Sequence, residues 1–151
     1  MRSLTRREAL ILGAVSAVKT WIGACRTAHA TPADAAAEIA KFTGGKTPEA
    51  AGIAVELPEI SENGNSVPLS VVVDSPMTPD NHVTDILVVA EGNPWPGVAA
   101  FKLTPMSGRA EIATRIRLAA SQNVIVVAKT SNGAVLTARR EVKVTIGGCG
   151  G

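Results

Sequence analysis

The chain has no tyrosine, and among its 151 residues only two phenylalanines, two tryptophans, two histidines and two cysteines. A metal enzyme needs about three protein ligands, usually including His or Cys, and this composition offers few. Charged residues make up 19% of the chain. That is ordinary, and it argues against long disorder and against the basic excess of a nucleic-acid binder. No apolar run reaches the ~18–20 residues that a membrane span requires. The length fits one domain.

What is present falls into three parts. Residues 1–30 read as an export signal and are set apart from the fold. Arg2 and the pair Arg6-Arg7 make a basic start, and the apolar stretch Ala9–Val18 follows. Ala28-His29-Ala30 has the small-x-small pattern of a cleavage site. Thr5-Arg6-Arg7-Glu8-Ala9-Leu10 reads as a twin-arginine signal, although Ala9 stands where a bulkier apolar residue is common. A competing cut exists at Ile22-Gly23-Ala24-Cys25, a loose lipoprotein box that would place a lipid on Cys25. Cleavage after Ala30 leaves 121 residues with ten cations against twelve anions, a net charge of −2. The basic balance of the whole chain then belongs to the signal, and nothing remains that favours DNA, RNA or a lipid surface. Twin-arginine cargo folds before transport, often with a cofactor or partner in place. The chain shows no cofactor motif, so a co-exported partner is the expectation, and the location is the periplasm.

Residues 31–146 form the second part. Thr31-Pro32 followed by Ala33–Phe42 predicts a short helix, with Thr31 as cap and Pro32 at its first position. Gly44-Gly45 ends it. Beyond that point β-branched residues dominate. Strands are predicted over Ile53–Leu57, Val67–Val73, Val83–Ala90, Val98–Leu103, Ala110–Ala119, Val124–Lys129 and Val135–Ile146. Glu62-Asn63-Gly64-Asn65 and Ser131-Asn132-Gly133 are among the separators, and Asn132-Gly133 is a strong hairpin signal because both residues tolerate positive φ. Ile112, Ile116 and Leu118 share one face, with Arg115 and Arg117 on the other. Seven short strands in about a hundred residues predict an all-β, immunoglobulin-like antiparallel β-sandwich.

The third part is Gly147-Gly148-Cys149-Gly150-Gly151. After signal cleavage Cys149 is the only cysteine. An odd cysteine in an oxidising compartment pairs with another molecule or serves as a reactive thiol. Four glycines around it make a thin, flexible arm without side chains to pack. From Ile146 the arm can extend the thiol by roughly 10 Å. No arm residue can activate the sulfur, so a pKa near ~8.5 is expected, with a few per cent thiolate at neutral pH. This suits a carrier that presents sulfur to enzymes supplying their own acid, base or metal. An intermolecular crosslink is the plain alternative. Prenylation needs the cysteine fourth from the end, and Cys149 is third. The terminal Gly150-Gly151 is also like the end of ubiquitin-like carriers, but those need ATP-dependent activation, which an exported protein lacks. An exported thiol–disulfide enzyme would normally carry Cys-x-x-Cys, and a plain interaction module has no use for four glycines around a thiol.

The five-residue tail resembles the carrier motif of the SoxY family, exported sulfur carriers of bacterial thiosulfate oxidation. The resemblance runs inward through Ser61-Glu62-Asn63-Gly64, Val67-Pro68, Ser75-Pro76-Met77, Asn93-Pro94, Val98-Ala99, Phe101, Thr114–Ala119 and Ser121-Gln122. It implies a carrier and not an enzyme, with Cys149 holding sulfur intermediates covalently. It further implies a SoxZ-like β-sandwich partner. The enzymes it implies are a haem protein that joins thiosulfate to Cys149, a manganese hydrolase that releases sulfate, and a molybdenum–haem dehydrogenase acting on the remaining sulfur. The carrier itself would hold no cofactor and no metal.

A few other residues could carry chemistry. His82, in Pro79-Asp80-Asn81-His82, has no second ligand near it in sequence, and Asp80 and Asp85 read as loop solvation. Arg139-Arg140-Glu141 reads as a solvated strand edge, Trp95 as a candidate for a partner interface, and Phe101 as core or interface. N-terminal sequencing of the exported protein should begin Thr31-Pro32. A start at a lipid-modified Cys25 would favour the competing cut.

Overall fold

In this computed structural model the described residues are 31–147. The predicted signal, with Arg6, Arg7 and Cys25, lies outside them, as do Gly148, Cys149, Gly150 and Gly151. Helix α1 spans Pro32–Thr43. The strands are β1 (Ile53–Glu56), β2 (Ile60–Asn63), β3 (Val67–Val73), β4 (Val83–Ala90), β5 (Gly97–Lys102), β6 (Glu111–Ile116), β7 (Gln122–Thr130) and β8 (Val135–Ile146). They make two sheets, of order β1-β3-β6 and β2-β8-β7-β4-β5. The expected all-β, immunoglobulin-like sandwich with one short helix is the architecture found.

Alternation builds the core. In β3, Val67, Leu69, Val71 and Val73 point inward and are buried. Ile112 and Ile116 of β6 and the following Leu118 meet them from the neighbouring strand. Val83, Ile86, Val88, Val124, Val126 and Val142 close the core from the larger sheet. Strand β4 departs from alternation, because Ile86 to Ala90 are all buried. Its outer face is covered by α1, where Ala35, Ile39 and Phe42 pack on Leu87 and Val89. A strand covered on both faces can be apolar throughout.

The helix start differs in detail from the expectation. The Asp34 carboxylate accepts from the Thr31 backbone N–H at 2.7 Å and from the Thr31 hydroxyl at 2.8 Å. These two bonds, the backbone one foremost, hold the Asp34 carboxyl below the usual aspartate range. Gly44 ends the helix in the left-handed region, at φ +66°.

Three further differences have physical causes. First, β2 falls where Glu62-Asn63 was read as a separator. It is a polar strand that forms only against β8, with Ile60 beside Lys143 and Asn63 beside Ile146. That pairing is parallel, so the larger sheet is mixed and not wholly antiparallel. Second, the β7–β8 connection is a hairpin, yet only Gly133 has positive φ. Gly133 N–H donates to the Thr130 carbonyl and Thr130 N–H to the Ala134 carbonyl. The result is a four-residue connection with a left-handed glycine, in place of a two-residue turn. Third, Arg139 and Arg140 are exposed, as expected of a solvated strand edge, but their side chains have specific partners. Arg139 pairs with Glu91 at 2.7 Å across the sheet. Arg140 donates from Nε to the Val55 carbonyl of the other sheet, at 3.4 Å.

Leu69, 2% exposed between the sheets, is a sensitive reporter of this core. Leu69→Ala should cost about 3 kcal/mol of unfolding free energy, measured by chemical denaturation. A loss below about 1 kcal/mol would mean that the sheets are less tightly interleaved than described.

Candidate functional site

Strand β8 starts at the Ser131–Ala134 turn and runs the length of the larger sheet. Its partner β7 covers nine residues, roughly 27 Å, so the two ends of the sandwich are far apart. His82 belongs to the turn end. Its backbone N–H bonds Ser131 Oγ at 3.1 Å, and its ring Nδ1 lies 3.1 Å from the Thr78 carbonyl. Ser131 Oγ in turn donates to the Asp80 carbonyl. His82 thus ties two loops together, remote from the tail.

The last residues of β8 lie at the opposite end and are held on both sides. On one side Gly64 N–H donates to the Ile146 carbonyl at 2.7 Å. On the other, Ser121 Oγ accepts from Val144 N–H at 2.9 Å and donates to the Val144 carbonyl at 3.3 Å. The serine hydroxyl continues the β7–β8 ladder past its last backbone pair, Gln122 with Val142. Leu118 N–H closes the ring by donating to the Gly64 carbonyl at 2.8 Å.

The loop from Arg117 to Ser121 is braced from beneath by two buried amides. Asn93 Oδ1 accepts from Ala119 N–H and from Gln122 Nε2, both at 2.9 Å. Asn93 Nδ2 donates to the Arg117 carbonyl at 2.8 Å. Gln122 Nε2 also donates to the Ala120 carbonyl, while Gln122 Oε1 accepts from Gly92 N–H at 2.6 Å. Both side chains are buried. A buried amide is costly unless its groups are paired, and no buried side-chain polar atom among the described residues lacks a partner.

This brace meets the tail at Gly147. A Cβ built there would overlap the Ala119 carbonyl. Glycine is required at this position by a close backbone approach. The other tail residues, Gly148, Cys149, Gly150 and Gly151, lie outside the described residues. Around this end, Ile146 is 66% exposed and Trp95, two residues from Asn93, is 85% exposed. Phe101 instead packs against the core. Among the described residues no group of three His, Cys, Asp or Glu side chains is placed to hold a metal.

The family described as sulfur oxidation protein SoxY matches residues 39–149, and the matched span includes Cys149. This chain belongs to the SoxY family. The sulfur carrier protein SoxY from Chlorobium limicola f thiosulfatophilum is similar at 34% identity, with a TM-score of 0.62 over 77% of this chain and all of that one. The superoxide reductase (neelaredoxin) of Ignicoccus hospitalis is similar at 19% identity and TM-score 0.56, over 76% of this chain and 94% of that one. The superoxide reductase from Nanoarchaeum equitans gives 11% identity and TM-score 0.51, over 64% of this chain and all of that one. At such identities the likeness is of fold alone, and a fold does not carry a function. No curated protein matches the chain.

Sequence reasoning named the tail but assigned no role to the Asn93–Gln122 brace. Asn93-Pro94 and Ser121-Gln122 are among the segments that carry the SoxY resemblance. Their partnership spans 29 residues, and no local pattern reveals it. Asn93→Ala should cost about 2 kcal/mol, because it leaves buried partners unpaired. In a double-mutant cycle with Gln122→Ala the two losses should be non-additive by at least ~0.5 kcal/mol. Additive losses would show that the amides act independently.

Proposed function

We propose that Cys149 is the covalent attachment point of a sulfur carrier that works in the periplasm after twin-arginine export. Membership of the SoxY family makes the chain a sulfur carrier of thiosulfate oxidation. The observation that carries the finer reading is the coincidence of the matched Cys149 with a tail rooted at a braced rim. Two residues of chain reach at most about 7 Å, so the end of the sandwich that holds Gly147 is the end that offers the thiol.

The chemistry needs little from the carrier. A thiol and thiosulfate join through a new S–S bond, releasing one proton and two electrons. A haem enzyme takes those electrons. Water then cleaves the terminal sulfonate as sulfate and leaves a persulfide on Cys149, and a manganese enzyme supplies that hydrolysis. A molybdenum–haem dehydrogenase can oxidise the remaining sulfane sulfur. Each step is performed by the partner, so the carrier needs no acid, base or metal site of its own. Persulfides exchange with free thiols. A single cysteine in the mature chain therefore removes an internal route for losing the cargo. A SoxZ-like β-sandwich is the expected constant partner, exported with the folded carrier.

Mass spectrometry of the exported protein from cells grown on thiosulfate tests this reading. The peptide holding Cys149 should carry sulfur or thiosulfonate additions that a reductant removes, and Cys149→Ser should abolish them. A thiol that is always bare, or joined only to another protein, would overturn it.

A further inference from the structure

We propose that Gly147 is the fixed pivot of the carrier arm, and that the Asn93–Gln122 brace and Ser121 are positioning elements that aim Cys149. This rests on the carrier reading and concerns how the thiol is delivered.

Glycines beside a carrier thiol invite one explanation, freedom of motion. Gly147 has another. Its backbone passes so close to the Ala119 carbonyl that a Cβ finds no room. The obstacle is backbone, so a rotamer change cannot relieve it. Ala119 cannot retreat easily either, because its N–H is bonded to the buried Asn93 Oδ1, and Asn93 and Gln122 also hold Arg117 and Ala120. On the tail side, Val144 is clamped by Ser121, and Ile146 by Gly64. The chain is therefore led to a definite point at the rim, Gly147.

Such a root has a use. A partner that must receive a thiol in a narrow pocket gains when the arm starts in the right place. Fewer residues then have to be ordered on entry, and misplacement by ~1 Å at a reacting atom can cost about a hundredfold in rate. A fully free arm, rooted anywhere along a frayed strand end, would offer the same thiol with a broader spread of origins.

The distance from Cys149 to the body tests the pivot without any partner enzyme. In the full chain carrying Cys25→Ser, nitroxides at Cys149 and at Met106→Cys, an exposed site, define it by pulsed electron paramagnetic resonance. Gly147→Ala should shift the mean distance by about one residue length, ~3.5 Å. Ser121→Ala, at an exposed position, should broaden the distribution and leave the fold intact even if Gly147→Ala proves unstable. Thiosulfate loading of Cys149 by the cognate haem oxidase, followed by mass spectrometry, should slow about tenfold or more in Gly147→Ala. Reaction with a small aromatic disulfide should keep its rate, since thiol chemistry is unaltered. Unchanged distance distributions in both variants would overturn the pivot. A shifted distance with unchanged enzymatic loading would overturn the positioning role. If the unaltered chain is never loaded, the carrier reading fails, and the distance measurement alone still decides whether Gly147 is a pivot.

Discussion

The close passage of Gly147 beneath the Ala119 carbonyl is the contact toward which much of this sandwich is arranged. It exists because β8 extends past the end of β7. That extension persists because β2 and Ser121 supply hydrogen bonds where the regular ladder has run out. The loop bearing Ala119 stays in place because two buried amides hold three of its backbone groups. Remove any layer, and the tail begins from a less definite point.

The two ends of the molecule do different work. At the turn end, Asn132 and Gly133 shape the hairpin, and His82 with Ser131 stitches neighbouring loops. These contacts are local or nearly so. At the arm end the contacts join residues from four separate segments: Asn63-Gly64, Gly92-Asn93, the loop from Arg117 to Gln122, and the end of β8. The second arrangement forms only when both sheets are assembled. The site is thereby coupled to the integrity of the whole core, from Leu69 outward.

The fold likeness to superoxide reductases separates scaffold from function. The same sandwich can serve redox enzymes in other chains. The match to the SoxY family runs through Cys149, and the sandwich end that holds Gly147 is shaped to lead β8 out.

The strands that alternate strongly, β3 and β6 above all, are legible in the amino-acid sequence, since side chains on opposite faces of a strand differ in burial and leave a period of two. The sequence also singles out the tail, because a thiol among four glycines is visible without any neighbour. Its turn chemistry located the β7–β8 hairpin, though not the conformation, because Asn132 can bond locally without entering the left-handed region. Tertiary structure alone decided that Ile60–Asn63 is a strand, since those polar residues gain a partner only when β8 lies beside them. It alone gave the exposed Arg139 and Arg140 their cross-sheet and between-sheet partners. And it alone gave Asn93, Gln122 and Gly147 a common purpose, because hydrogen bonds and steric limits act through space and leave no periodic trace along the chain.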